Sequence, residues 1–222
     1  MPTFNTPEPI STVLDIPAGR IQFVAADRSD TAVEIVPANP SKSRDVKAAE
    51  EAKVEYGDGV LRIEVLAKNQ YFGPSGSVAV TVHLPAGSQV EVKAASAELQ
   101  ATGRLGDVAV NSAHGSIDLE DVASARLSLT AGDVSVGRLN GPAEIRTSKG
   151  DIRIAEAVSG ALVLRTDVGE VEVVAAAGVS ATLDAGTTTG RINNALKNAD
   201  GAAVPLTIRA TTTVGDIVAR SL

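Results

Sequence analysis

One phrase recurs along the C-terminal part of this chain and limits what it can fold into: a small or hydroxyl residue, two residues, glycine, an acidic residue, then apolar-x-apolar. It appears as Ser112-Ala113-His114-Gly115-Ser116-Ile117-Asp118-Leu119, Thr130-Ala131-Gly132-Asp133-Val134-Ser135-Val136 and Thr147-Ser148-Lys149-Gly150-Asp151-Ile152-Arg153-Ile154. Thr166-Asp167-Val168-Gly169-Glu170-Val171-Glu172-Val173, Thr187-Thr188-Thr189-Gly190-Arg191-Ile192 and Thr212-Thr213-Val214-Gly215-Asp216-Ile217 complete it. A degenerate copy, Ala97-Glu98-Leu99-Gln100-Ala101, precedes them, and the intervals counted from Ala97 are 18, 17, 18, 19, 21 and 25 residues. Self-similarity at such a period is the mark of a stacked-repeat architecture.

Each copy follows a short segment of period two: Val90 and Val92, Val108 and Val110, Leu127 and Leu129, Ala143 and Ile145, Leu162 and Leu164, Leu183 and Ala185, Ile208 and Ala210. Alternation of Val, Ile and Leu with polar residues marks strands with one buried face. Each unit is therefore strand, glycine corner, strand, connector. Eighteen residues at about 3.3 Å each make a circuit of roughly 60 Å, enough for one narrow coil. The expected fold is all-β, a parallel β-solenoid of about seven coils of 17 to 25 residues, forming a rod on the order of 35 Å long. An antiparallel sandwich is the rival, but its core usually holds an aromatic or two.

Composition supports the narrow interior. Of 222 residues, 44% are hydrophobic, yet there are three Phe, two Tyr and no Trp. All five aromatics, Phe4, Phe23, Tyr56, Tyr71 and Phe72, precede the regular copies, leaving aliphatic ladders to fill the coils. The boundary is drawn accordingly: residues 1–85 as a β-rich capping segment, 86–222 as the solenoid. Within the cap, Thr12 to Ile16, Arg20 to Val24 and Ala32 to Val36 alternate as strands, the first two separated by Pro17-Ala18-Gly19. One helix is expected over Lys42 to Lys53, N-capped by Ser41 or Ser43, with Val46, Ala49 and Ala52 as its apolar face. Strands at Val54 to Tyr56, Val60 to Val65 and Val78 to Leu84 follow, with Tyr56-Gly57-Asp58-Gly59 as a hairpin turn.

The same composition narrows function. No cysteine removes disulfides, thiolate zinc sites and cysteine nucleophiles, and two histidines make a multi-His metal centre a poor expectation. A net charge of −7 and few aromatics argue against nucleic-acid binding. No run approaches 18 uninterrupted apolar residues, so no membrane insertion by a helix is expected. The first residues, with three prolines and an acidic residue in ten, do not read as a signal peptide, and a cytoplasmic location is expected.

Corner glycines are expected to supply positive φ, with the preceding hydroxyl bonding a turn amide. The acidic residues after them, Asp133, Asp151, Glu170 and Asp216, with Asp107 in a related pair, admit two readings. Exposed, at about 4.8 Å spacing, they repel by only about 1 kcal/mol per pair; buried, they would call for cations. Ser116 and Arg191 break the column, which favours a structural turn. His83, on a wet strand face, and His114, in a corner, have no catalytic partners at recognisable spacing. The loop Gln70-Tyr71-Phe72-Gly73-Pro74-Ser75-Gly76 places Tyr71 and Phe72 together as a candidate for partner contact. No catalytic, cofactor or metal residue is assigned.

The Gly-Asp-Val-Ser-Val, Thr-Ser-Lys-Gly-Asp-Ile-Arg-Ile and Thr-Thr-Val-Gly-Asp-Ile-Val-Ala phrases resemble the bacterial putative-adhesin β-strand-repeat family, a domain family of unknown function. Phe4-Asn5-Thr6-Pro7-Glu8-Pro9-Ile10 and Val80-Thr81-Val82-His83-Leu84-Pro85-Ala86-Gly87 look like its leaderless actinobacterial members. The resemblance covers nearly the whole chain and implies a β-solenoid, with no catalytic residues to carry over. The function expected is a non-enzymatic binding or scaffold module with an unknown protein partner. Self-association of a bactofilin-like, head-to-tail kind is the alternative, because the last copy ends near Leu222 and would leave the final edge uncovered. A carbohydrate-active β-helix enzyme is a third reading, weakened because residues 73–222 hold no aromatic platform.

Overall fold

The computed structural model describes residues 1–65, 76–197 and 206–222. The chain forms two compact units, Met1–Gly115 and Ser116–Leu222. The division expected at residues 85 and 86 follows the change in sequence pattern, whereas the compact units follow packing. Each unit is built on a stack of parallel strands with apolar ladders inside, the solenoid-like architecture the alternation implies, and the first adds antiparallel strands to it.

In the second unit the strands are β8 (Ile117–Ala131), β9 (Val134–Leu139), β10 (Ala143–Lys149), β11 (Ile152–Ala157), β12 (Gly160–Val168), β13 (Val171–Ala175), β14 (Ala181–Thr189), β15 (Ile192–Ala195), β16 (Leu206–Val214) and β17 (Ile217–Ser221). They form two parallel ladders, one before and one after the corner glycines. The first runs β8, β10, β12, β16, β14, and the second runs β8, β9, β11, β13, β17, β15. Register carries the repeat into space. Ile117, Val134, Ile152, Val171, Ile217 and Ile192 form one column, and Leu119, Val136, Ile154, Val173, Ala219 and Asn194 the next. Full burial of each aliphatic side chain in such a column contributes about 1.5–3 kcal/mol.

The stack does not follow chain order. The last copy in sequence, β16 with β17, lies between the coil of β12 and β13 and the coil of β14 and β15. The expectation that the final copy forms the exposed edge is corrected: β14 and β15 form it. The physical reason lies in the interior residues. Leu206, Ile208, Ala210, Ile217 and Ala219 are fully buried, whereas the matching positions of the outer coil include the smaller Ala181 and the polar Asn194, and Ile192 is 46% exposed. The coil with the more polar interior face occupies the end that meets water.

The first unit contains β1 (Thr3–Asn5), β2 (Ser11–Ala26), β3 (Asp30–Pro37), α1 (Ser43–Glu50), β4 (Lys53–Gly57), β5 (Val60–Glu64), β6 (Val78–Pro85) and β7 (Gln89–His114). Here Pro17-Ala18-Gly19 does not separate two strands. β2 runs through it, pairing in parallel with β5 over Ser11–Asp15 and with β6 over Gly19–Ala26. On its other side β2 pairs with β7, from Ser11 on Gln89 to Val24 on Thr102. The segment expected to act only as a cap therefore contains a coil of its own, and it too is inserted out of chain order. The capping strands proper are antiparallel: β3 on β6, β1 on β3 and β4 on β5. Asp58 and Gly59, with φ of 52° and 74°, make the tight turn between β4 and β5. Phe4 of β1 and Tyr56 of β4 meet with ring centroids 5.3 Å apart. Phe23, on a strand assigned to the cap, is fully buried, with the small Ala101 in register beside it.

Helix α1 is shorter than expected. It starts at Ser43 behind Lys42, which makes no side-chain cap, so neither Ser41 nor Ser43 is the N-cap. The preceding turn is held instead by Asn39 Oδ1, which accepts the Ser41 amide at 2.9 Å.

Corners fix the register. In the second unit a Cβ built on Gly169 would lie 2.0 Å from the carbonyl oxygen of Gly150, and one on Gly215 would lie 1.9 Å from that of Gly169. Both glycines have φ near +150°, a conformation that side chains rarely adopt. The neighbouring coil's carbonyl thus occupies the space where any other residue would carry its side chain. Gly169→Ala combines backbone strain of about 1–3 kcal/mol with overpacking of about 1–3 kcal/mol. Urea unfolding should show a loss of about 3 kcal/mol or more, whereas Gly186→Ala, with nothing within 4 Å, should cost far less.

Candidate functional site

Tyr71 and Phe72 lie outside the described residues, so their expected contact role has no geometry here. The C-terminal side of that segment is anchored by a residue the sequence reading did not single out. Asp45, buried on α1, accepts the Ser77 amide at 3.0 Å through Oδ1 and the Asn39 amide at 3.1 Å through Oδ2. It ties the start of β6 and the end of β3 to the helix. Its signal was weak because a carboxylate in the first helical turn ordinarily reads as a solvated dipole partner.

His83 sits on β6 between the buried Val82 and Leu84, on the opposite, half-buried face. His114 is exposed, and its carbonyl accepts the Ser112 hydroxyl at 2.9 Å. Among the described residues no group of three His, Cys, Asp or Glu side chains is placed to hold a metal ion. A cleft of about 560 Å³ in the first unit is walled by Val33, Ile35, Ala49, Ala52 and Val54, with Glu34 as its one carboxylate side chain.

The acidic corners perform a structural task. Asp133 Oδ1 accepts the amide of Asp151 at 2.9 Å, Asp151 Oδ1 accepts that of Glu170 at 2.9 Å, and Asp216 Oδ1 accepts that of Arg191 at 2.8 Å. Each carboxylate therefore binds the coil stacked upon it. The hydroxyls do the same from the other side of the glycine, though not in the way expected. Thr166, Thr212 and Thr187 donate to the carbonyls of Gly150, Gly169 and Gly215 in the adjacent coil at 2.9, 3.1 and 3.0 Å, rather than bonding a turn amide. At the outer coil Arg191 replaces the acid. Its guanidinium reaches Asp216 at 3.1 Å and so ends the acidic column with a positive charge.

Among the described residues, β14 pairs only with β16, and β15 only with β17. The Leu206 amide donates to the Ser180 carbonyl at 3.0 Å. Parallel-ladder alternation then aims the even-numbered backbone groups of β14 at β16 and leaves the N–H and C=O groups of Leu183, Ala185 and Thr187 on the outer side. Register with β16 is continuous from Ala181 to Thr187. The one charge of this strand, Asp184, is held by Arg209 Nε at 3.0 Å. The edge is neutral and without a bulge over that stretch.

A stack of parallel coils with a glycine corner and no catalytic constellation among the described residues defines a repeat-type β protein whose surface, rather than a pocket, is its principal feature. The Toastrack DUF4097 family model matches residues 13–221, and the chain belongs to that family. It is also similar to three crystal structures: a putative cell adhesion protein from Clostridium sporogenes and putative adhesins from Bacteroides fragilis and Parabacteroides distasonis. The first is 13% identical with a TM-score of 0.43, covering 100% of this chain and 98% of that one. The others are 12% and 13% identical with TM-scores of 0.45 and 0.43, each covering 98% of this chain and 95% of the other. At those values the family model alone carries the assignment. No curated protein matches the chain.

Asp216 provides a pH test of the corner. The Arg191 amide, and then its guanidinium, hold the Asp216 carboxyl below its ordinary value of 3.8. A group whose pKa is lower in the folded state stabilises above its unfolded pKa and loses that contribution as pH falls through the folded one. Thermal melts should therefore separate wild type from Asp216→Ala at neutral pH, and the gap should close as pH falls below about 4. A gap independent of pH would assign the effect to packing.

Proposed function

We propose that the chain is a non-enzymatic β-solenoid binding or scaffold module, working in the cytoplasm through protein contacts at the outer edge of β14 and β15. The observation that carries this reading is the edge itself: a continuous row of backbone donors and acceptors without the Pro, Lys or bulge that ordinarily blunts such strands. Strand addition to an exposed edge is a general mode of protein recognition, in which main-chain hydrogen bonds provide affinity and alternate side chains provide specificity. The adhesin names of the similar structures belong to those proteins. Cell fractionation reads the cytoplasmic part of the proposal.

Crosslinking mass spectrometry in the source cell tests the binding role. The wild-type chain should give specific crosslinked partners at the edge, and Ala185→Lys, which points a charge inward at the strand's centre, should lose them at least tenfold. Partners retained by that variant would move the contact elsewhere. Turnover in a polysaccharide panel by the wild-type chain would contradict the non-enzymatic reading.

A further inference from the structure

We propose that the partner seated on β14 is a second copy of the same strand, paired antiparallel about a two-fold axis through Ala185. The proposal rests on the reading of this edge as the contact surface and adds its occupant. Three observations carry it.

The first is direction. The backbone groups of Leu183, Ala185 and Thr187 face outward from β14. In an antiparallel register centred on Ala185, they meet Thr187, Ala185 and Leu183 of the second copy as hydrogen-bonded pairs. The second is side-chain and charge complementarity. The same register sets Thr182 against Thr188 of the second copy, and Asp184 against Gly186. The strand's only charge therefore meets a residue without a side chain, and no like charges face each other. Threonine pairs are favourable cross-strand neighbours. The third is the interior. Leu183 and Ala185, in register with the fully buried Ile208 and Ala210, are only half-buried. A strand laid beside them would cover both, setting a second Ala185 on the Ala185 column and the methyl of Thr187 on the Leu183 column.

Such an interface is isologous and closes at two copies. It differs from head-to-tail growth, in which β14 would have to meet a different free strand. In the first unit the outward strands are the antiparallel β1, three residues long, and β4, so a filament has a poor template there.

Light scattering over a concentration series tests the dimer. The wild-type chain should rise from 22.6 kDa toward twice that mass. Ala185→Pro removes an amide that β16 does not use and should raise the dimer dissociation constant at least 100-fold while leaving the fold intact by circular dichroism. Ala185→Lys should do the same without altering the backbone, and it covers the case in which the proline variant fails to fold. The chain has no cysteine, so the double variant Thr182→Cys/Thr188→Cys should form a covalent dimer on oxidation. Wild type monomeric throughout, a dimer insensitive to Ala185→Lys, or growth beyond two copies would overturn the proposal. A monomeric wild type whose cellular partners are still lost in Ala185→Lys would overturn self-pairing and leave the edge as a contact surface for other proteins.

Discussion

The nesting of a carbonyl oxygen against the next coil's corner glycine is the contact on which the rest of the second unit depends. With the oxygen of one glycine about 2 Å from where the next would carry a Cβ, coils can stack only if each presents glycine at the same height. Once the corners coincide, the residues at fixed offsets coincide too. The aliphatic columns then form on the inside, with the threonine and aspartate bonds on either side of the corner. Aliphatic burial supplies most of the stability, but burial is non-directional and would tolerate a slipped register. The glycine corner is what excludes the slip.

That constraint sets which residues align without setting which coil lies beside which. Any copy with the phrase can stack on any other, so the order is decided by what each coil exposes at an end. The coil with Ala181 and Asn194 at its interior positions lies outermost, and the coil with Leu206 and Ala219 at the matching positions lies beneath it. In the first unit too the stack departs from chain order, with β2 between β6 and β7 and a cap of short antiparallel strands outside.

The period of the glycines and the alternation before them made the parallel coils, the buried ladders and the corner legible. The hairpin at Asp58 and Gly59 was equally plain, because its chemistry is local. Stacking order was not legible, since it depends on comparing coils distant in sequence. β2 was read as two cap strands because a Pro-Ala-Gly run usually signals a turn, and only its pairing with β6 and β7 reveals Gly19 as a corner. Asp45 escaped notice because its partners, Asn39 and Ser77, are brought to it by tertiary structure. The polar corner residues were visible, but not their partners: both the hydroxyl and the carboxylate bond across coils. The contact role of Tyr71 and Phe72 remains a proposal from sequence, while the surface that geometry favours lies at β14, a copy of the repeat that nothing in the sequence marked as the edge.

Coil order is the central claim, because the exposed edge and all that follows from it depend on β16 lying between β12 and β14. In that order Arg209 is in register with both Val163 and Asp184, while Val163 and Asp184 are two strand spacings apart, nearly 10 Å. Disulfide trapping in this cysteine-free chain reads the order directly. Val163→Cys/Arg209→Cys and Asp184→Cys/Arg209→Cys should each close within one chain, and Val163→Cys/Asp184→Cys should not. Rapid closure of that last pair, with failure of Val163→Cys/Arg209→Cys, would place the coils in chain order and contradict the account.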